Sequence, residues 1–78
     1  MATLELFEGI KINVYNGEHR PPHFHALYAE YEAAILIDSG NIIAGKLPAK
    51  QVKKIMKWLE NNSEWVKNVF YEMNPDLK

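Results

Sequence analysis

With 78 residues the chain holds one domain, read as spanning 1–78, and at that length about 60% of the unfolded surface is buried on folding. Its 47% hydrophobic and 12% aromatic content supplies one compact core and excludes a disordered chain, while a net charge of −1 excludes a polyanion trap acting through overall charge. Cysteine is absent, so disulfides and thiolate zinc sites are excluded; no apolar run nears the roughly 18 residues that cross a bilayer, and Met1–Leu6 lacks the basic and apolar regions of an export signal, so a cytoplasmic, non-membrane chain is expected.

The first half predicts strands. Between Gly9 and Tyr15, Ile10, Ile12 and Val14 alternate with Lys11, Asn13 and Tyr15, which is the period of a half-buried strand. Asn16-Gly17 tolerates positive φ and ends it. A polar stretch through Pro22 leads to a second extended run, His23–Tyr28, with His23, His25 and Leu27 on one face and Phe24, Ala26 and Tyr28 on the other. After a tight turn at Ala29-Glu30, the β-branched and aromatic run Tyr31–Asp38 forms the third strand. Ser39-Gly40-Asn41 turns the chain into a short fourth strand, 41–44, and Gly45 closes the sheet.

The second half predicts helices. Pro48 suits a first helical turn, and Val52, Ile55, Met56 and Leu59 then recur at helical spacing. Asn61-Asn62-Ser63 interrupts the pattern, with Asn62 as N-cap of a second helix that buries Trp65, Val66, Val69, Phe70 and Met73 and stops at Pro75. The expected fold is α+β: a four-stranded antiparallel meander followed by two C-terminal helices packed on one face.

Chemistry concentrates in one segment. All three histidines, His19, His23 and His25, lie within seven residues. His23 and His25 are two apart on a strand, so their rings leave one face with bases about 7 Å apart. Imidazole is the commonest transition-metal ligand, and His19, His23 and His25 form a candidate site for a divalent metal such as zinc. Tyr15 and Glu18 are placed to add oxygen ligands or outer hydrogen bonds. The alternatives are a structural role, with Pro21-Pro22 holding the backbone extended, and a metal-free site in which a histidine moves protons. Nucleophilic catalysis lacks a cysteine, and Ser39 and Ser63 are accounted for by turns; the scattered glycines form no phosphate loop.

Charge is unevenly spread. Residues 1–45 sum to −4 and residues 46–78 to +3. Lys46, Lys50, Lys53 and Lys57 recur at helical spacing, either as a solvated face or as a contact for phosphates or an acidic partner. Trp58 and Trp65 flank the expected interhelix turn and are read as core, with Trp58 slightly off the stripe and partly exposed.

Phe7-Glu8-Gly9-Ile10, Val14-Tyr15 and His19-Arg20-Pro21-Pro22-His23-Phe24-His25-Ala26 resemble a family of small bacterial proteins catalogued as domain of unknown function 4160. The likeness continues through Tyr28-Ala29-Glu30-Tyr31, Gly45-Lys46-Leu47-Pro48 and Trp58, nearly the whole chain. It implies motif positions at Tyr15, His19, Pro21, Pro22, His23 and His25, without a catalytic role. It also implies a gene pair of toxin–antitoxin or regulatory type.

Three functions are therefore expected in competition. One is an interaction module that binds a small protein partner in such a pair. Another is a metal-dependent or histidine-based enzyme acting on nucleic acid through His19, His23 and His25. The last is a DNA-binding regulator using Lys50, Lys53 and Lys57. A homodimer is compatible with each.

Overall fold

The computed structural model describes all 78 residues as a five-stranded antiparallel sheet followed by one long helix. The strands are β1 (Ala2–Phe7), β2 (Ile10–Val14), β3 (His23–Tyr28), β4 (Tyr31–Leu36) and β5 (Ile42–Lys46), paired in chain order. Helix α1 (Ala49–Met73) lies across one face, and a 3-10 turn, Pro75–Leu77, follows it. No helix is long and apolar enough to cross a membrane.

Two parts of the expectation are corrected. The sheet has five strands because Ala2–Phe7 pairs with β2. Its alternation is masked in sequence by an irregularity between Thr3 and Glu5. As a result Leu4 packs against the core, Glu5 beside it accepts a hydrogen bond from Trp58 Nε1 at 3.3 Å, and Leu6 is left 67% exposed. Gly45 likewise lies inside β5, opposite Ala33, and the sheet ends after Lys46.

The two helices are one. Leu59 and Val66 are seven residues apart, two full turns, so the buried stripe Ile55, Leu59, Val66 and Phe70 runs through the asparagines in phase. Asn62 does not cap. Its Nδ2 donates back to the Trp58 carbonyl at 2.8 Å, and Asn61 Nδ2 donates to that of Lys57 at 3.4 Å, so both side chains bond the helix's own preceding turn. Trp65 is also corrected: it is 43% exposed, not core. Trp58 is half-buried, with its ring 6.1 Å from Phe7 and 5.9 Å from Phe24.

The core sits between sheet and helix. Ile10, Ile12, Val14, Phe24, Ala26, Ala33, Ile35 and Ile37 meet Ile55, Leu59, Val66 and Phe70, all fully or nearly buried. No layer covers the other sheet face. The pairings Asn13–His25 and His25–Ala34 therefore place His25 in a cross-strand row on the open side.

Candidate metal centre

The loop 15–22 returns from β2 to β3 around the C-terminal end of α1, and the tail of the chain holds it there. Asn74, 2% exposed, is the fastening point. Its Nδ2 donates to the Tyr15 carbonyl at 2.9 Å and to the Phe70 carbonyl at 3.0 Å, and its Oδ1 accepts the Glu18 backbone N–H at 2.9 Å. Further along, the Arg20 guanidinium donates from Nε to the Leu77 carbonyl at 2.7 Å and from Nη2 to the same oxygen. These contacts join residues 15–20 to 70–77, which are distant in sequence.

Glu18 consequently stands between two histidines. Its Oε1 is 3.0 Å from His25 Nε2 and its Oε2 is 3.4 Å from His23 Nε2. One ligand atom from each of Glu18, His23 and His25 lies within 4.8 Å of the other two. His23 is 5% exposed, with its ring 5.5 Å from that of Phe70. Its Nδ1–H donates to the Pro21 carbonyl at 2.8 Å, which fixes the ring and aims Nε2 at Glu18. A ring nitrogen held in this way by a carbonyl on its far side is the usual outer support of a metal-ligating histidine.

His25 is 20% exposed and opens on the uncovered sheet face. Tyr15 meets its ring edge-on at 4.6 Å, and the Tyr15 hydroxyl accepts from Asn13 Nδ2 at 3.2 Å. Asn13 Oδ1 in turn accepts from the Thr3 hydroxyl at 2.9 Å. On the other side Glu32 Oε2 is 3.5 Å from His25 Nδ1. Beside it a shallow depression of about 230 Å³ is lined by His25, Glu32, Ala34, Ala44 and Gly45. A larger crevice, about 340 Å³ between Asp38–Gly40 and Met56–Ser63, contains no histidine and lies apart from this cluster.

The remaining residues singled out by sequence fall at the margin or elsewhere. His19 is exposed, its ring 6.0 Å from that of His23 and its Nδ1 3.3 Å from the Arg20 carbonyl, outside the set of converging atoms. Pro22 gives its carbonyl to the Ile37 N–H at 3.2 Å, tying the loop to the end of β4, and the Arg20–Pro21 peptide is cis. Lys46 is paired with Glu32 across β4 and β5, at the edge of the depression. Lys50, Lys53 and Lys57 lie on α1, and from Lys57 to Phe70 the helix rises about 20 Å, so these three do not converge with the histidines. Asn74 was not legible as a site residue; its one signal is an asparagine between a helix end and Pro75, a position that favours capping.

Three electron-pair donors directed at one another can accommodate a metal ion between them. In a tetrahedral zinc site with bonds of roughly 2.0–2.1 Å, neighbouring ligand atoms stand roughly 3.3 Å apart. His25 Nε2 at 3.0 Å from Oε1 and His23 Nε2 at 3.4 Å from Oε2 each approach that edge to a different carboxylate oxygen, within a set of three atoms spanning up to 4.8 Å.

Among curated proteins and among solved structures, nothing matches the chain significantly. Residues 9–70, which contain Glu18, His23 and His25 but end short of Asn74, match the family model described as Domain of unknown function (DUF4160), and the chain belongs to that family.

Proposed function

We propose that the chain is a small metal-binding module in which Glu18, His23 and His25 hold one divalent transition ion of zinc type. The observation that supports this reading is the approach of three ligand atoms to within 4.8 Å, with His23 already oriented by Pro21. Two imidazoles and a carboxylate suit zinc, and three protein ligands leave a fourth position for water or for a donor from a partner. Every buried polar side-chain atom already has a protein partner. Hydrolysis of nucleic acid at that fourth position is the catalytic extension of the reading, with Lys46 the one stripe lysine near enough to assist.

Calorimetric titration of the untagged chain with Zn²⁺ tests it. One equivalent should bind, and Glu18→Gln and His25→Ala should each weaken binding at least about tenfold, since a lost ligand removes on the order of 1.4 kcal/mol or more. Absence of uptake, or uptake indifferent to both substitutions, rejects the metal reading.

A second reading, a cytoplasmic module that binds a protein partner in a two-gene pair, is favoured by β5. All five of its residues are exposed, including Ile42 and Ile43, and one side of its backbone faces no further strand. Such an edge accepts an added strand. Co-expression with the neighbouring gene's product should yield a complex that Ile43→Lys disrupts, and a complex unaffected by that change would place the contact elsewhere.

A further inference from the structure

The solvent face of α1 carries a charge pattern that works against the helix itself. Lys50, Lys53 and Lys57 occupy its first half, and Glu60, Glu64 and Glu72 its second, all exposed. A helix favours acids at its N-terminus and bases at its C-terminus, yet the first turn has no acid and the last no base. Like charges also stack one turn apart, Lys53 on Lys57 and Glu60 on Glu64, and only Lys57–Glu60 and Glu64–Lys67, three apart, offset them within the helix. The lysine–carboxylate pairs of the chain are Lys54 with Glu8 and Lys67 with Asp38, and none of these six residues takes part. Within the acidic half Trp65 is 43% exposed.

We propose that this face binds a second copy of the same chain, with the two α1 helices antiparallel about a two-fold axis at Asn61, the middle residue of the 25-residue helix. That arrangement sets Lys50 beside Glu72 of the other helix and Lys57 beside Trp65, with Asn61 against its own counterpart. Lys50 then meets Glu72, Lys57 lies one residue out of register with Glu64 of the other helix, the helix dipoles oppose, and each Trp65 ring receives an ammonium group over its face. The contact is isologous and closes at two subunits. The sheet lies on the far side of α1 and does not obstruct it.

A long polyanion fits this surface poorly. A phosphate chain drawn to Lys50, Lys53 and Lys57 would run onto Glu60, Glu64 and Glu72 along the same helix face. A second copy uses both halves. The inference is independent of the metal reading, since none of the proposed ligands lies on this face.

Sedimentation of the full chain at roughly 200 µM tests it, a concentration suited to a contact of modest area. The mass at low salt should be twice the 9.0 kDa of the chain and should fall towards the single-chain value at 1 M salt, where screening acts within about 3 Å. Lys50→Glu/Lys53→Glu/Lys57→Glu should be monomeric. Glu60→Lys/Glu64→Lys/Glu72→Lys should also be monomeric, and an equimolar mixture of the two variants should restore the dimer. Trp65→Ala should weaken association at least tenfold with an unchanged circular dichroism spectrum. A parent chain that is monomeric at low salt overturns the proposal, as does a dimer that persists in either triple variant. A monomer that retards duplex DNA overturns it in favour of polyanion binding.

Discussion

Asn74 Oδ1 accepts the backbone N–H of Glu18 at 2.9 Å, so the residue that ends the helix holds in place the carboxylate standing between His23 and His25. Its Nδ2 supplies the complementary donor to Tyr15 on the other side of the same loop. Alanine at this position leaves a carbonyl and an N–H without these partners in a part-buried site, a loss of about 2 kcal/mol in unfolding free energy. Urea unfolding of Asn74→Ala should show that loss, and zinc affinity should fall with it because Glu18 is no longer held. Asn74→Asp, which keeps the acceptor and loses the donor, should lie between. An unchanged midpoint in the alanine variant would show that the loop is fixed by other contacts.

The two histidines that face Glu18 differ in what they do for the fold. His23 is 5% exposed, packs against Phe70 and donates to Pro21, whereas His25 is 20% exposed and borders open solvent. His23→Ala should therefore cost about 2 kcal/mol in metal-free protein, combining a cavity with a lost hydrogen bond. His25→Ala should cost less than about 1 kcal/mol. Zinc binding should suffer in both. Chemical denaturation in the presence of a chelator separates the two effects, and the opposite ranking would refute this account of burial.

The contrast between these residues also explains what sequence could and could not reveal. His23 and His25 were legible as a pair because strand geometry alone puts positions two apart on one face. Glu18 was visible only as a neighbour, since its position between the rings depends on the return of the loop. Asn74 was invisible because its partners are 56 and 59 residues away. In the fold, β2 alternates cleanly, β3 reads as an extended run and β4 carries β-branched and aromatic residues, and all three strands are present, whereas β1 breaks its alternation at Thr3–Glu5 and sets a half-buried glutamate against Trp58. The single helix was obscured by asparagine propensity, although the seven-residue step from Leu59 to Val66 already kept the stripe in phase. Local preference favoured a break there, and packing against the sheet outweighed it.

Ala29 sits at the β3–β4 turn with φ of 52°, in the left-handed region. A side chain with a Cβ pays about 1–2 kcal/mol there, while glycine costs about 0.4–1 kcal/mol through the freedom it gives the unfolded chain. Ala29 is exposed and contributes little packing, so the first effect wins. Ala29→Gly should stabilise the protein by about 0.5–1 kcal/mol, read as a higher melting temperature. A lower one would mean that the turn can relax without leaving its register.

Gly45 presents the opposite case. Its φ is +73°, and a Cβ added there would lie 2.1 Å from the Glu32 carbonyl oxygen and 3.1 Å from Ala33 Cα. Both are backbone atoms of β4, so neither can move aside without displacing the strand. Left-handed strain and overpacking each contribute about 1–3 kcal/mol, and Gly45→Ala should destabilise by on the order of 3 kcal/mol. Because Glu32 borders His25 and Ala34 lies in the same depression, the shift should also reach the open face. The expected signature is loss of hydrogen-exchange protection in β5 and the adjoining half of β4, with β2 and α1 retained. Uniform protection with an unchanged melting temperature would mean that the strand pair absorbs the extra methyl group without opening, making Gly45 dispensable to the sheet.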